Sequence, residues 1–149
     1  MTANTKQNMI EVVVTANIHY EANQVFAALQ DFTNYNRWWH IPVKTLDNGE
    51  KCFLFNPLPL INIILKQNRF IVNREIEYEY VKGPFRGRGK WIIERLANKT
   101  TKITYVISLY AINKLIYKIA NTKAFRRKHA GDIYQLIANL ENYISKQQF

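Results

Sequence analysis

The clearest periodicity in the chain lies near its C-terminus. Ile133, Leu136, Ile137, Leu140 and Ile144 fall at i, i+3, i+4, i+7 and i+11. That is one stripe of a helix with 3.6 residues per turn, so a helix is predicted within 120–146. Projected back at about 100° per residue, the same face carries Ala130, His129 and Arg126. The stripe is thus apolar at its C-terminal end and polar or basic at its N-terminal end. Gly131 weakens a helix interior and leaves a second possibility, a helix that begins nearer Asp132.

Most of the chain before this helix alternates with period two, the mark of strands. Residues 9–18 read as a strand, with Val12, Val14 and Ala16 on one face. Residues 21–31 read as a helix with Val25, Phe26, Leu29 and Phe32 as its stripe. Residues 33–39 read as a second short helix or turn, capped by Thr33 or Asp31 and ended by Ile41-Pro42. A hairpin is expected across 43–46 and 51–55, around Asp47-Asn48-Gly49-Glu50. The apolar run 60–65 fits a strand or an exposed loop. Residues 70–80 read as one strand, with Val72, Arg74, Ile76, Tyr78 and Tyr80 on one face and Glu75, Glu77 and Glu79 on the other. A two-residue turn at Lys82-Gly83 would set Glu79, Glu77 and Glu75 opposite Arg86, Arg88 and Lys90. A turn at Ala97-Asn98-Lys99 leads to a strand over 101–110. Residues 112–121 have Leu115, Ile116 and Ile119 at helical spacing beside Lys114 and Lys118. Consecutive hairpins imply an antiparallel meander, and a sheet with one apolar face needs a cover. The expected fold class is α+β: a curved antiparallel sheet wrapped around the long C-terminal helix, with two short helices after the first strand.

Composition narrows the class. A chain of 149 residues with 48% hydrophobic and 13% aromatic residues is expected to be one folded domain over 1–149. Cys52 is the only cysteine, so no intramolecular disulfide can form. The opening residues are polar and no apolar run is long enough to span a bilayer, so the expectation is a cytoplasmic protein. The net charge of +10 is uneven: residues 82–128 hold 13 basic residues and one acid, the rest 8 basic and 10 acidic. Such asymmetry points to an anionic partner, whether phospholipid head groups, nucleic acid such as RNA or an acidic ligand, or else to general solubility with internal pairing. No RNA-binding motif is present, which argues against nucleic acid.

The order of elements and two stretches of sequence carry a family resemblance. One is Ile18-His19-Tyr20-Glu21-Ala22-Asn23-Gln24-Val25-Phe26 running into Leu29-Gln30-Asp31-Phe32-Thr33-Asn34-Tyr35-Asn36-Arg37-Trp38. The other is Gly87-Arg88-Gly89-Lys90-Trp91-Ile92-Ile93-Glu94 followed by 100–105. The chain resembles the SRPBCC superfamily, with its START and Bet v 1-like helix-grip fold, and within it the polyketide cyclase/dehydrase-like group. It departs from the family pattern at Asn98-Lys99, where glycine is common, and in the basic segment 114–129. The resemblance implies a deep cavity between sheet and long helix that takes hydrophobic small molecules such as lipids, polyketides or sterols, with catalysis only in some members.

Under that implication the expected cavity-lining residues are Arg74, Tyr78, Tyr80, Trp91, Tyr105, Arg126 and His129. Arg126 and His129 would hold the acidic or polar part of a largely apolar ligand at the helix N-terminus, unless they lie solvated in a loop. Arg74 would point inward by parity or reach water from a strand end. The aromatic residues would stack on the ligand or fill a plain core. No His/Cys spacing suggests a metal, and no phosphate-binding or dinucleotide motif suggests a cofactor. Three functions follow: binding or transport of a small hydrophobic ligand, a cyclase or dehydratase on the same fold, and binding of an anionic membrane or RNA through 82–128. The absence of an evident acid–base pair argues against the enzyme. Residues 58–65 and 115–119, beside Lys114, Lys118 and Lys123, would suit docking on an anionic membrane, or would simply pack on the sheet.

Overall fold

The structure is a computed structural model and describes residues 9–47, 51–58, 60–97 and 99–147. Strand β1 (Met9–Ile18) leads to helix α1 (Ala22–Gln30) and a 3₁₀ turn (Phe32–Arg37). Six strands follow: β2 (Val43–Asp47), β3 (Lys51–Leu58), β4 (Ile61–Ile71), β5 (Glu75–Lys82), β6 (Phe85–Ala97) and β7 (Thr100–Ala111). Helices α2 (Lys114–Ala120) and α3 (Lys123–Lys146) close the chain. The strands form one antiparallel sheet in the order β1-β7-β6-β5-β4-β3-β2. The first strand therefore sits at one edge, α1 and the 3₁₀ turn carry the chain across to the other, and the meander returns to β1. The predicted turn at 48–50 and the middle of the turn at 97–99 lie outside the described residues.

Alternation places the apolar side chains on the concave face. Ile10, Val12, Val14 and Ile18 of β1 and Ile103, Tyr105, Ile107 and Leu109 of β7 are buried. So is the stripe of α3: Ile133, Leu136, Ile137, Leu140 and Ile144 are each at most 4% exposed. The long helix begins at Lys123, capped by the Thr122 hydroxyl, which accepts the Phe125 N–H at 3.1 Å. It runs through Gly131 without a break, so the later start near Asp132 is excluded. Cys52 is buried in β3.

Two strand expectations are corrected. Residues 70–80 are not one strand: β4 ends at Ile71, Val72 to Arg74 turn, and β5 starts at Glu75. Asn73 has φ of 61°, a left-handed conformation that asparagine tolerates better than most residues. The strand parity that aimed Val72 and Arg74 inward therefore does not apply, and both are exposed. The β5–β6 register is also shifted by two, with Glu77 opposite Lys90 and Glu79 opposite Arg88. A two-residue loop at Lys82-Gly83 would have to close on Pro84, which has no N–H to give the closing pair. A shift of two preserves the faces, and the long basic side chains reach diagonally. The Lys90 ammonium lies 2.8 Å from Glu75 and 3.9 Å from Glu77, and the Arg88 guanidinium 3.9 Å from Glu77. Glu77 is only 4% exposed, so these cations offset its desolvation.

The 3₁₀ turn delivers the aromatic part of the core. Tyr35, Trp38 and Trp39 pack with Phe32 and Phe53, with Tyr35 stacked on Trp39 at 5.5 Å between ring centroids. A buried hydrogen-bond chain links the layers. The Trp91 indole N–H donates to the Tyr78 hydroxyl at 2.9 Å. The Tyr78 and Tyr35 hydroxyls are bonded to each other, and Tyr35 donates to the Leu29 carbonyl. With that last proton committed, Tyr78 is the donor to Tyr35, and every donor in the chain is used once.

Gly131 tests the continuity of α3 directly. A Cβ there would meet nothing within 4 Å. Gly131→Ala is therefore expected to stabilise the protein by about 0.5–1 kcal/mol, read as a raised midpoint in urea unfolding.

Candidate ligand cavity

The concave face is not filled along its whole length. Next to the 3₁₀ aromatics, with Trp39 at the border, a cavity of about 270 Å³ lies between sheet and α3. Its sheet wall is Phe55, Ile63, Tyr80, Phe85, Tyr105 and Ile107. Its helix wall is Phe125, His129, Ile133 and Leu136, spaced i, i+4, i+8 and i+11 along α3. Trp39 and His40, where the chain leaves the 3₁₀ turn, form a third side. Other clefts, such as the one beside Gln24, Asp31 and Tyr143, lie on the outside of the helices.

Of the seven expected lining residues, Tyr80, Tyr105 and His129 border this cavity. Tyr78 and Trp91 belong instead to the buried hydrogen-bond chain and do not line it. Arg74 is exposed in the turn between β4 and β5. Arg126 turns away as well: its guanidinium is bonded to the Asn121 side-chain carbonyl at the end of α2. The helix phase explains this. Counting two turns back from Ile133 reaches both Phe125 and Arg126, and the structure points Phe125 inward, against Phe85 at 6.0 Å. The i, i+4, i+8 spacing of Phe125, His129 and Ile133 was the available signal. His40 had none, because only the tertiary fold brings it to α3.

The polar groups of the cavity share one property. The side chains of His40, Tyr80, Tyr105 and His129 make no hydrogen bond to another described residue, and His40 Nδ1 is buried without a partner. Burial pushes both Tyr80 and Tyr105 phenols up, and keeps them protonated. Burial also lowers the pKa of His40 and of His129, only partly opposed by the Asp132 carboxylate; the Lys128 ammonium lowers both further. All four groups are thus uncharged at neutral pH. The one charged pair among the lining residues, Lys128 and Asp132, is bonded across one helical turn at 3.2 Å, with Lys128 largely in solvent and Asp132 half-buried. No cluster of three or more His, Cys, Asp or Glu that could hold a metal occurs among the described residues.

No family model matches the sequence, and no curated protein is similar to it. Solved structures are similar in shape. A Thermus thermophilus protein aligns over 94% of this chain and 100% of its own, with a TM-score of 0.77 and 10% identity. A START superfamily protein from Mycobacterium smegmatis covers 94% and 99%, at 0.71 and 13%. The ZhuI aromatase/cyclase from Streptomyces sp. R1128 covers 93% and 95%, at 0.66 and 12%. The fold is the START-like helix grip. At such identities the likeness is one of fold, shared by a START protein and an aromatase/cyclase alike. A helix grip leaves space between the sheet and the long helix, and that is where this chain has its cavity.

The two histidines give the fold a pH dependence. Their folded pKa values lie below the ordinary 6.5, so the unfolded chain binds more protons. The stability they contribute is complete above 6.5 and is lost as pH falls through and below that value. Thermal unfolding midpoints are expected to fall between pH 7.5 and 5, and to fall less in His40→Gln and His129→Gln. Equal slopes in all three proteins would refute the assignment.

Proposed function

We propose that the protein binds a small, mainly hydrophobic molecule in the cavity between the sheet and α3. The observation that supports this is the pairing of apolar walls with polar side chains that have no partner among the described residues. A buried polar group without a partner costs roughly 1–3 kcal/mol, and a ligand that meets it removes the cost. Apolar pockets with a few polar groups are the usual form of small-molecule sites. The native mass of the purified protein, compared with its denatured mass, tests the reading. A stoichiometric extra mass is expected, and Leu136→Trp, which fills the cavity from α3, is expected to remove it while the circular dichroism spectrum is retained.

A second observation favours an anionic membrane as the place where such a ligand is met. The outer face of α2 is Lys114, Leu115, Lys118 and Ile119; Leu115 is 68% and Ile119 65% exposed. Ile112 is 54% exposed, and Leu60 wholly so. These residues adjoin the cavity: Ile61 and Pro84 line it, and the Pro84 carbonyl accepts the Ile112 N–H at 3.1 Å. Lys123, two residues before Phe125, is exposed as well. An apolar edge set among lysines fits the boundary between acyl chains and anionic headgroups. No helix among the described residues is long and apolar enough to cross a membrane. In vesicle sedimentation, phosphatidylcholine with phosphatidylserine is expected to bind the protein and phosphatidylcholine alone is not. Lys114→Ala and Lys118→Ala should each weaken binding roughly fivefold, at about 1 kcal/mol per lysine near the surface. Leu115→Ser with Ile119→Ser should weaken it further, and unchanged binding in that variant would remove the membrane from the account.

A further inference from the structure

We infer that the ligand is uncharged and carries a hydroxyl or carbonyl oxygen, which His40, His129, Tyr80 and Tyr105 receive, and that the cavity rejects carboxylates and phosphates. This rests on the proposal that the cavity binds a ligand, and names the chemistry of its polar end.

The argument begins with where the charge of the protein goes. The chain carries +10 overall, and an acidic ligand is one expectation from such a balance. Yet the arginines expected in the cavity are elsewhere, one in the β4–β5 turn and one bonded to Asn121. Lys128 is the only Lys or Arg among the lining residues, and it is held by Asp132 at 3.2 Å with its side chain 78% exposed. Arg88 and Lys90 of β6 are on the opposite face, where they pair with Glu75 and Glu77. The interior of the cavity has no cation to meet an anion. Taking a carboxylate out of water into an apolar space without a counter-charge costs several kcal/mol.

What the cavity does offer is neutral hydrogen-bonding capacity. Each phenol can donate and accept, and each neutral imidazole has one N–H and one lone pair. A hydroxyl, which also donates and accepts, can use two or more of these groups at once, and a carbonyl can accept from them. The rings stand among Trp39, Phe55, Phe85 and Phe125, so the remainder of the ligand meets aromatic and aliphatic surface. The positive surface outside and the neutral interior then have separate tasks: one meets a partner surface, the other selects the molecule.

Three probes of equal ring size test this: naphthalene, 2-naphthol and 2-naphthoate, titrated at pH 8 with detection by protein NMR. 2-Naphthol should bind roughly three- to tenfold tighter than naphthalene, the worth of one net hydrogen bond, and at least tenfold tighter than 2-naphthoate. In the Tyr80→Phe, Tyr105→Phe double variant, which keeps both rings and both histidines, the naphthol preference should shrink while naphthalene affinity holds; an undiminished preference would take the two phenols out of the inference. If 2-naphthoate binds tightest, the inference is overturned and an acidic ligand takes its place. If naphthalene and 2-naphthol bind alike, the inference fails and the cavity as a binding site stands. If none of the three binds, both fail.

Discussion

One helix cannot cover the concave face of a seven-stranded sheet. Strands sit about 4.8 Å apart, so the sheet is roughly 29 Å across, whereas a helix with its side chains is about 10–12 Å wide. The stripe of α3 comes nearest to β1, at one edge of that face, and the rest must be filled by something else or left open. At one end it is filled. The 3₁₀ turn brings Tyr35, Trp38 and Trp39 against Phe32 and Phe53, and the chain from Trp91 through Tyr78 and Tyr35 to Leu29 satisfies the two tyrosine hydroxyls and the Trp91 indole N–H. Beyond Trp39 nothing of that size arrives, and the cavity remains.

The contrast between the two regions separates core from site. Tyr78 and Tyr80 stand on the same strand and the same face, two residues apart, and both are buried. Tyr78 has its hydroxyl engaged on two sides by protein, and Tyr80 has none of the described residues as a partner. A tyrosine whose hydroxyl is matched inside the fold is structural. One whose hydroxyl is left over beside empty space is available to a ligand. The same distinction divides Trp91 from Tyr105, which lie opposite each other on β6 and β7 with rings 4.1 Å apart.

Charge is divided in a similar way. Glu75 and Glu77 of β5 hold Arg88 and Lys90 of β6 on the convex face, and Glu77 is buried beneath them. Lys114, Lys118 and Lys123 remain on the rim with exposed Leu115 and Ile119. The cavity wall in between carries only neutral groups and one satisfied ion pair. A large net charge is therefore a statement about the outside of this protein, and the polarity of the bound molecule is set by a few buried rings.

Periodicity by itself determined the architecture. The i, i+3, i+4, i+7, i+11 stripe of α3, the alternation of β1 and β7 and the opposite-charge faces of β5 and β6 are local patterns, and each survives in the fold because burial acts on faces. Even the register shift of two left the faces as the alternation had set them. The tertiary structure decided what local patterns do not encode. The left-handed Asn73 ended β4 and took Arg74 out of the inward parity, Asn121 drew Arg126 away from a position that Phe125 could fill, and the chain's return from the 3₁₀ turn set His40 beside α3. The first two turn on a backbone conformation and a short-range hydrogen bond that periodicity does not register, and the third joins residues far apart in sequence that meet only once the sheet has closed on the helix.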